Sequence, residues 1–360
     1  MAPVKSHPAV PAQDVVPAGG LRAFVGAVLE AIGMPSDDAA TMAEAMVWSD
    51  LRGIAKQGVL RLPLVVERVR AGGTRVQGEI VVERDGPSFA AIAGCDLWGP
   101  VVGARAMRIA IEKARATGVG AAVVRDTTFA FALGYYPTLA IAEGMIGLAI
   151  NDCLPLMAPP GGTTNVLGNQ AFALGAPARR HLPLLLDTAT SAITWTAIHE
   201  LQERGEPLPP GVAVDPEGRP TTDPAAGLAG RLLPLGGPKG FGLALMWEVL
   251  AGVLAGGELF GKRLRGPDEL AKPMGTNLFM LAIDPRASMP YDRFLDRVDR
   301  LIDDVLSSPP EPGIDRLYAP GERGQLVAAE RERNGIPLAA ATMARLRALG
   351  ESIGVGWPNG

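Results

Sequence analysis

The chain has 360 residues, 34 Lys and Arg against 38 Asp and Glu, a net charge of −4 and 48% hydrophobic residues, enough to bury a sizeable core divided over two or three lobes. No basic cluster is dense enough to track a phosphate backbone, which argues against a nucleic-acid partner. The longest apolar stretch, 241–255, is too short for a bilayer and carries Glu248, which argues against a membrane span.

Cys95 and Cys153 are too few for a disulfide framework and lack the spacing of a metal pair, so a reducing, cytoplasmic setting and no metal site are expected. Residues 1–20 are rich in Pro, Ala and Val without a charged-then-apolar signal layout, and read as a flexible arm. Ser36 followed by Asp37 and Asp38 predicts a capped helix start, and Met42, Met46 and Val47 recur on one face to about residue 50. Val59, Leu62, Val66 and Val69 mark a second amphipathic helix, ended by Gly72 and Gly73, which makes 50–61 an interhelical corner. Residues 80–83 and 89–92 read as a short strand pair, and 103–116 as a helix packed through small residues.

From Val119 the pattern changes to apolar runs of strand length, 119–124, 146–150 and 182–186, separated by helix-like segments. That alternation predicts a buried α/β sheet. Residues 205–238 are dense in Pro and Gly without periodicity, a long ordered loop of the kind that covers a site or an interface. A buried helix from Gly240, a strand at 277–283 and helices near 291–307, 324–333 and 337–349 complete the chain. The expected division is an arm (1–20), an N-terminal helical lobe (21–118), an α/β domain (119–285) and a C-terminal helical segment packed on the N-terminal lobe (286–360).

Neither the Gly-x-Gly-x-x-Gly fingerprint nor a phosphate loop ending in Gly-Lys-Ser/Thr occurs. His199-Glu200 lacks the second histidine of a zinc-protease helix and reads as a surface pair. Two segments carry more. Asp187-Thr188-Ala189-Thr190-Ser191, at a strand end, offers hydroxyls and backbone N–H groups to phosphate or ribose oxygens. Leu235-Gly236-Gly237-Pro238-Lys239-Gly240 opens a helix with a cation among glycines, which suits an anion and equally suits a turn before a buried helix.

These two segments, together with Asp50-Leu51-Arg52-Gly53-Ile54, Gly58, Arg61, Gly134-Tyr135-Tyr136, Asp284-Pro285 and Pro320-Gly321-Glu322, stand in the order in which the malate/L-lactate dehydrogenase type 2 family carries its motifs. The chain resembles that family over its length beyond the arm. The resemblance implies a non-Rossmann α/β fold with a mixed central sheet, a helical lobe from both chain ends and a homodimer that completes the site. It also implies hydride exchange between NAD or NADP and 2-oxo acids or cyclic imino acids. By resemblance, Asp187, Thr188, Ala189, Thr190, Ser191, Lys239, Gly240, Pro320, Gly321 and Glu322 surround the cofactor and Arg61 holds the substrate carboxylate. Its planar fork suits two carboxylate oxygens, while its alternative reading is a helix-surface ion pair.

The departures lie at the reacting centre. Where the family has Asp-Ser-His-Gly, this chain has Ala55-Lys56-Gln57-Gly58; Phe129 stands at a second family histidine, and Gly-Thr-Asn-Pro becomes Gly168-Asn169-Gln170-Ala171. His7, His181 and His199 stand at neither histidine position. Reduction of a ketone leaves charge on oxygen and needs a proton donor, for which histidine is best matched. The candidates in its place are Lys56, as acid or oxyanion partner, Gln57, as a hydrogen-bonding group, and Tyr135. Phe129 and Phe131 make the pocket drier and predict a substrate larger or less polar than lactate or malate. The leading expectation is an NAD(P)-dependent oxidoreductase with a non-standard carbonyl or imine substrate, for example in a specialised biosynthetic pathway. The alternatives are a nicotinamide-dependent cyclase or isomerase without net redox and a catalytically degenerate dimeric binding protein.

Overall fold

The strand-length apolar runs assemble into one mixed sheet in the computed structural model, which describes residues 14–257 and 269–358. Its strands, in chain order, are β2 (Val81–Asp85), β3 (Phe89–Ala93), β4 (Val119–Thr127), β5 (Ile146–Asn151), β6 (Phe172–Ala176), β7 (Leu184–Thr188) and β10 (Thr276–Ile283). They lie side by side as β2-β3-β4-β10-β5-β6-β7. Only β3 and β4 run parallel, joined by the crossover helix α4 (Gly99–Thr117); every other neighbouring pair is antiparallel. Helices α4 and α5 (Tyr135–Ala142) cover one face through a core that includes Met107, Tyr136 and Met280. On the other face, α8 (Pro238–Glu248) continues into a π-helical turn, Val249–Val253, packed on Val123, Ile150 and Phe279.

Both chain ends build the helical lobe. α1 (Ala18–Ala31), α2 (Ser36–Leu51), α3 (Leu62–Arg70) and α11 (Ala340–Ile353) share a core containing Leu21, Met46, Leu62 and Leu346. A two-stranded ribbon ties the ends together, β1 (Asp14–Val16) against β11 (Ile336–Leu338), with Val16 opposite Ile336. Residues 205–238 are ordered, as expected, and contain β8 (Ala213–Val214), α7 (Pro224–Ala229) and β9 (Arg231–Leu232), which pack with α6 (Trp195–Arg204) around Ile198 and Leu208.

Several expectations need correction. Residues 14–20, assigned to a flexible arm, form β1 and the start of α1; residues 1–13 lie outside the described residues. Ser36 is the first residue of α2 and not its cap, because Pro35 holds that position and no side chain caps the helix. The helix expected at 337–349 begins with β11, whose three residues are too few to show a period of two. The lobe drawn at 21–118 contributes β2, β3 and α4 to the sheet layer. In the C-terminal segment, α10 (Glu322–Asn334) and α11 pack on the helical lobe, whereas α9 (Tyr291–Leu306) packs against Ala178, Leu184 and Ala319.

Ile336 is 0% exposed and bridges the two ends of the chain. Removing its side chain leaves a cavity where collapse is restricted, so I336A is expected to lose about 2–5 kcal/mol of unfolding free energy in a denaturant titration.

Candidate functional site

The corner between α2 and α3 is built around one buried carboxylate. After α2 the chain passes through two short 3-10 turns, Ala55–Gln57 and Val59–Arg61. Asp50, in the last turn of α2, accepts the Val59 N–H on Oδ2 at 2.7 Å. A Cβ at residue 58 would stand 2.2 Å from that oxygen, so only glycine lets the backbone pass. Arg331 of α10 donates to the Asp50 carbonyl and clamps the C-terminal part of the chain to the same corner. Burial pushes the Asp50 carboxyl up to about 7, against the opposing pull of the Val59 N–H and Arg331.

This corner presents Gln57 and Arg61 to a small pocket whose other walls are Leu64, Val65, Trp98, Phe129 and Phe131. Arg61 donates from Nε to the Lys56 carbonyl at 2.9 Å, and its guanidinium carbon lies 5.9 Å from the Phe129 ring centroid. It has no acidic partner among the described residues, so the ion-pair alternative for Arg61 does not hold here; burial lowers its pKa. The Gln57 amide likewise makes no side-chain hydrogen bond among the described residues. Phe131 takes a left-handed backbone at φ 58°, uncommon outside glycine. The loop that carries it is held by the Tyr136 hydroxyl donating to the Ala130 carbonyl at 2.6 Å, and by the Gly99 N–H donating to Thr128 Oγ1 at 3.2 Å.

Lys56 does not line the pocket: its Nζ pairs with Glu203 of α6 at 2.7 Å. The pair ties the corner to the helix that follows residues 187–191. Tyr135 does not line the pocket. Its ring packs edge-on to Trp48 and Tyr136 in the sheet core, and burial raises its pKa, which weakens it as a proton donor at neutral pH. His181 bonds Asp303 and His199 packs on Trp195, so neither reaches the pocket lining.

The three segments assigned to a cofactor all border β7, residues 235–240 just past its end at Thr190 and residues 320–321 at Leu185 near its start. Asp187 Oδ2 accepts the Gly134 N–H at 2.7 Å, and burial pushes its carboxyl up to about 6. Thr190 donates its N–H and hydroxyl to the Asn169 carbonyl at 2.9 and 2.7 Å, while the Ser191 hydroxyl donates to the Ile193 carbonyl. The Thr188 hydroxyl donates to the Ala189 carbonyl. The Thr190 carbonyl in turn accepts the Leu235 N–H at 2.8 Å, and a Cβ at residue 240 would meet the Leu235 carbonyl at 2.2 Å. Gly240 therefore allows α8 to start directly against residues 187–191. The Pro320 carbonyl accepts the Leu185 N–H at 3.0 Å, and Glu322 accepts the Ala319 N–H at 2.9 Å while pairing with Arg316.

Sequence reasoning missed Leu64, Val65 and Trp98 as pocket walls. Leu64 and Val65 follow Arg61 at i+3 and i+4, a helical signal that was present; nothing local marks Trp98. No helix among the described residues is long and apolar enough to cross a membrane, and no group among them could hold a metal ion.

Residues 16–347 match the family model described as malate/L-lactate dehydrogenase. The chain is 36% identical to the malate dehydrogenase of Pyrococcus horikoshii over 350 residues, covering 94% of this chain and 96% of that protein. The solved sulfolactate dehydrogenase of Methanocaldococcus jannaschii superposes with a TM-score of 0.89 at 32% identity, covering 95% of this chain and 98% of that one. The Δ1-piperideine-2-carboxylate reductase of Pseudomonas syringae superposes with a TM-score of 0.84 at 27% identity, covering 93% and 99%.

Asp50 and Asp187 both hold their protons to higher pH folded than unfolded, so between about pH 4 and 7 the native state binds more protons than the unfolded one and stability falls as pH rises. The melting temperature is therefore expected to drop between pH 5 and 8. D50N should flatten that drop by on the order of a few kcal/mol of pH-dependent stability, read from denaturant titrations across the range.

Proposed function

The chain belongs to the malate/L-lactate dehydrogenase family and is an NAD(P)-dependent oxidoreductase, and we propose that it reduces a non-standard substrate, an imino acid bound as its iminium. The carrying observation is Gln57, on the pocket wall beside an Arg61 that no carboxylate among the described residues neutralises. An amide cannot release a proton at neutral pH. Among the described residues no other side chain lining the pocket can do so either: Arg61 stays a cation, the Trp98 indole N–H is not acidic at neutral pH, and the rest are hydrocarbon. Hydride transfer to a ketone would leave an alkoxide without a donor. With an iminium, the new C–H bond forms while the C=N π pair moves onto a nitrogen that already carries its proton, and a neutral amine results.

A dinucleotide fits the segments bordering β7. Gly236 and Gly237 have positive φ and open space where a side chain would stand, and the exposed Lys239 has no acidic partner among the described residues. In this reading those glycines, Lys239 and Gly240 hold the pyrophosphate at the start of α8, and residues 187–191 and 320–322 flank the rest. The nicotinamide, when bound, supplies the hydride. Arg61 fixes the substrate carboxylate and Gln57 holds a substrate polar atom in place. The thiols of Cys95 and Cys153 are free, in keeping with a reducing cytoplasm.

A homodimer is part of the same proposal. A row of apolar residues in register, Leu281, Leu148, Leu174 and Leu186, crosses one sheet face and ends in Leu174 at 43% and Leu186 at 40% exposure. Beside it Trp247 packs on Phe172 at 5.4 Å, and Leu245, Met246 and Val249 of α8 and its continuation are exposed. A second copy covering this surface would abut residue 187 and close the cofactor segment.

Three outcomes are expected. K239A weakens NADH or NADPH binding about tenfold in a fluorescence titration, about 1.4 kcal/mol. Q57H raises reduction of a 2-oxo acid at least about tenfold relative to reduction of the imine formed with methylamine, by supplying the missing donor; an unchanged ratio would count against the iminium reading. M246E shifts the protein from dimer to monomer in light scattering.

A further inference from the structure

Charge and wall chemistry in the Arg61 pocket restrict the substrate further. Among the described residues, Arg61 is the single cation on the pocket wall, and Gln57 supplies the only other side-chain hydrogen-bonding group apart from the Trp98 indole. Lys56, on the same 3-10 turn as Gln57, does not line the pocket and pairs with Glu203 at 2.7 Å. The remaining surface is aromatic and aliphatic, with the Trp98 and Phe131 rings 6.4 Å apart and the Arg61 guanidinium facing the Phe129 ring. Trp98 is 1% exposed, and its indole N–H has no hydrogen-bond partner.

We infer that the pocket selects a monocarboxylic 2-oxo or 2-imino acid whose side chain is uncharged and apolar, best an aryl group, and discriminates against dianions of the malate or sulfolactate type. This rests on the reading of the site as that of an NAD(P)-dependent reductase. One carboxylate is matched by one guanidinium. A second carboxylate or sulfonate would have to leave water for a wall of phenyl and indole rings that offers no counter-charge among the described residues, which is unfavourable. An aryl side chain gains from the same wall: its ring buries apolar area and meets aromatic neighbours at edge or face. The Phe131 backbone supports a built wall, since its left-handed conformation is held by the bonds that fix the 128–131 loop.

The test is calorimetric binding to the full-length protein. NADH and NADPH are titrated first, and the complex with the tighter one is then titrated with phenylpyruvate and, separately, with oxaloacetate. Phenylpyruvate is expected to bind at least tenfold more tightly. L64K, which puts a second cation on the half-buried helical wall, is expected to narrow or reverse that ratio, with circular dichroism confirming its fold; F131K serves the same purpose if L64K does not fold. Dinucleotide binding together with oxaloacetate binding equal to or tighter than phenylpyruvate, or with binding of neither acid, overturns the inference and leaves the reductase reading standing. Failure of both dinucleotides to bind overturns the reductase reading itself.

Discussion

The Asp50 carboxylate, buried at the end of α2 and bonded to the Val59 N–H, is the constraint on which the proposed substrate wall depends. Burial makes its charge costly, which is why its pKa rises, yet without an acceptor at that point the Val59 N–H would be left unsatisfied in the core. The carboxylate also forbids any residue but glycine at position 58. The chain must therefore turn tightly there, and the turn fixes where Gln57 and Arg61 emerge. Arg331, bonded to the Asp50 carbonyl, carries the same constraint to α10, whose first turn begins beside residues 320–322. A single corner thus couples the substrate wall to one flank of the proposed cofactor site.

The other flank is set by backbone contacts at the end of β7. The Asn169 carbonyl accepts from Thr190, the Thr190 carbonyl accepts from Leu235, and Gly240 permits the close start of α8. The side chains of Thr190 and Ser191 are occupied in holding this arrangement, so the proposed phosphate contacts fall to the bare backbone at Gly236 and Gly237 and to Lys239. Asp187 serves the same purpose from the other side: its carboxylate binds the Gly134 N–H and locks β7 against α5. Lys56 and Glu203 then join the corner to α6 by an ion pair.

Legibility in the sequence followed the range of the forces involved. The corner at 50–61, the amphipathic helices and most sheet strands were readable because glycine placement and apolar periodicity are local. Their order along the chain also carried the family resemblance, which the match over residues 16–347 bears out. The start of α1 was not readable, since Pro17, Gly19 and Gly20 resemble loop composition while the helix is stabilised by Leu21, Phe24 and Val25 in the lobe core. The β1–β11 ribbon joins segments more than 300 residues apart, with no periodicity at either end to announce it. Lys56 pairs across 147 residues with Glu203, and Trp98 enters the pocket from the start of α4; both are consequences of packing that no spacing rule encodes. Tyr135 was placed near the chemistry because it adjoins Gly134, but its ring turns into the core against Trp48.

The central claim is that the corner held by Asp50 and the end of β7 form two walls of one cleft, with Gln57 and Arg61 facing the reactive ring of a bound nicotinamide. A crystal structure of the complex with NADH or NADPH and an unreactive 2-hydroxy acid tests this most directly. The account predicts the pyrophosphate at Gly236, Gly237 and Lys239, the acid's carboxylate on Arg61, and the Gln57 amide within hydrogen-bond distance of the acid beside nicotinamide C4. A nicotinamide ring lying away from the corner, with Gln57 and Arg61 contacting neither ligand, would contradict it.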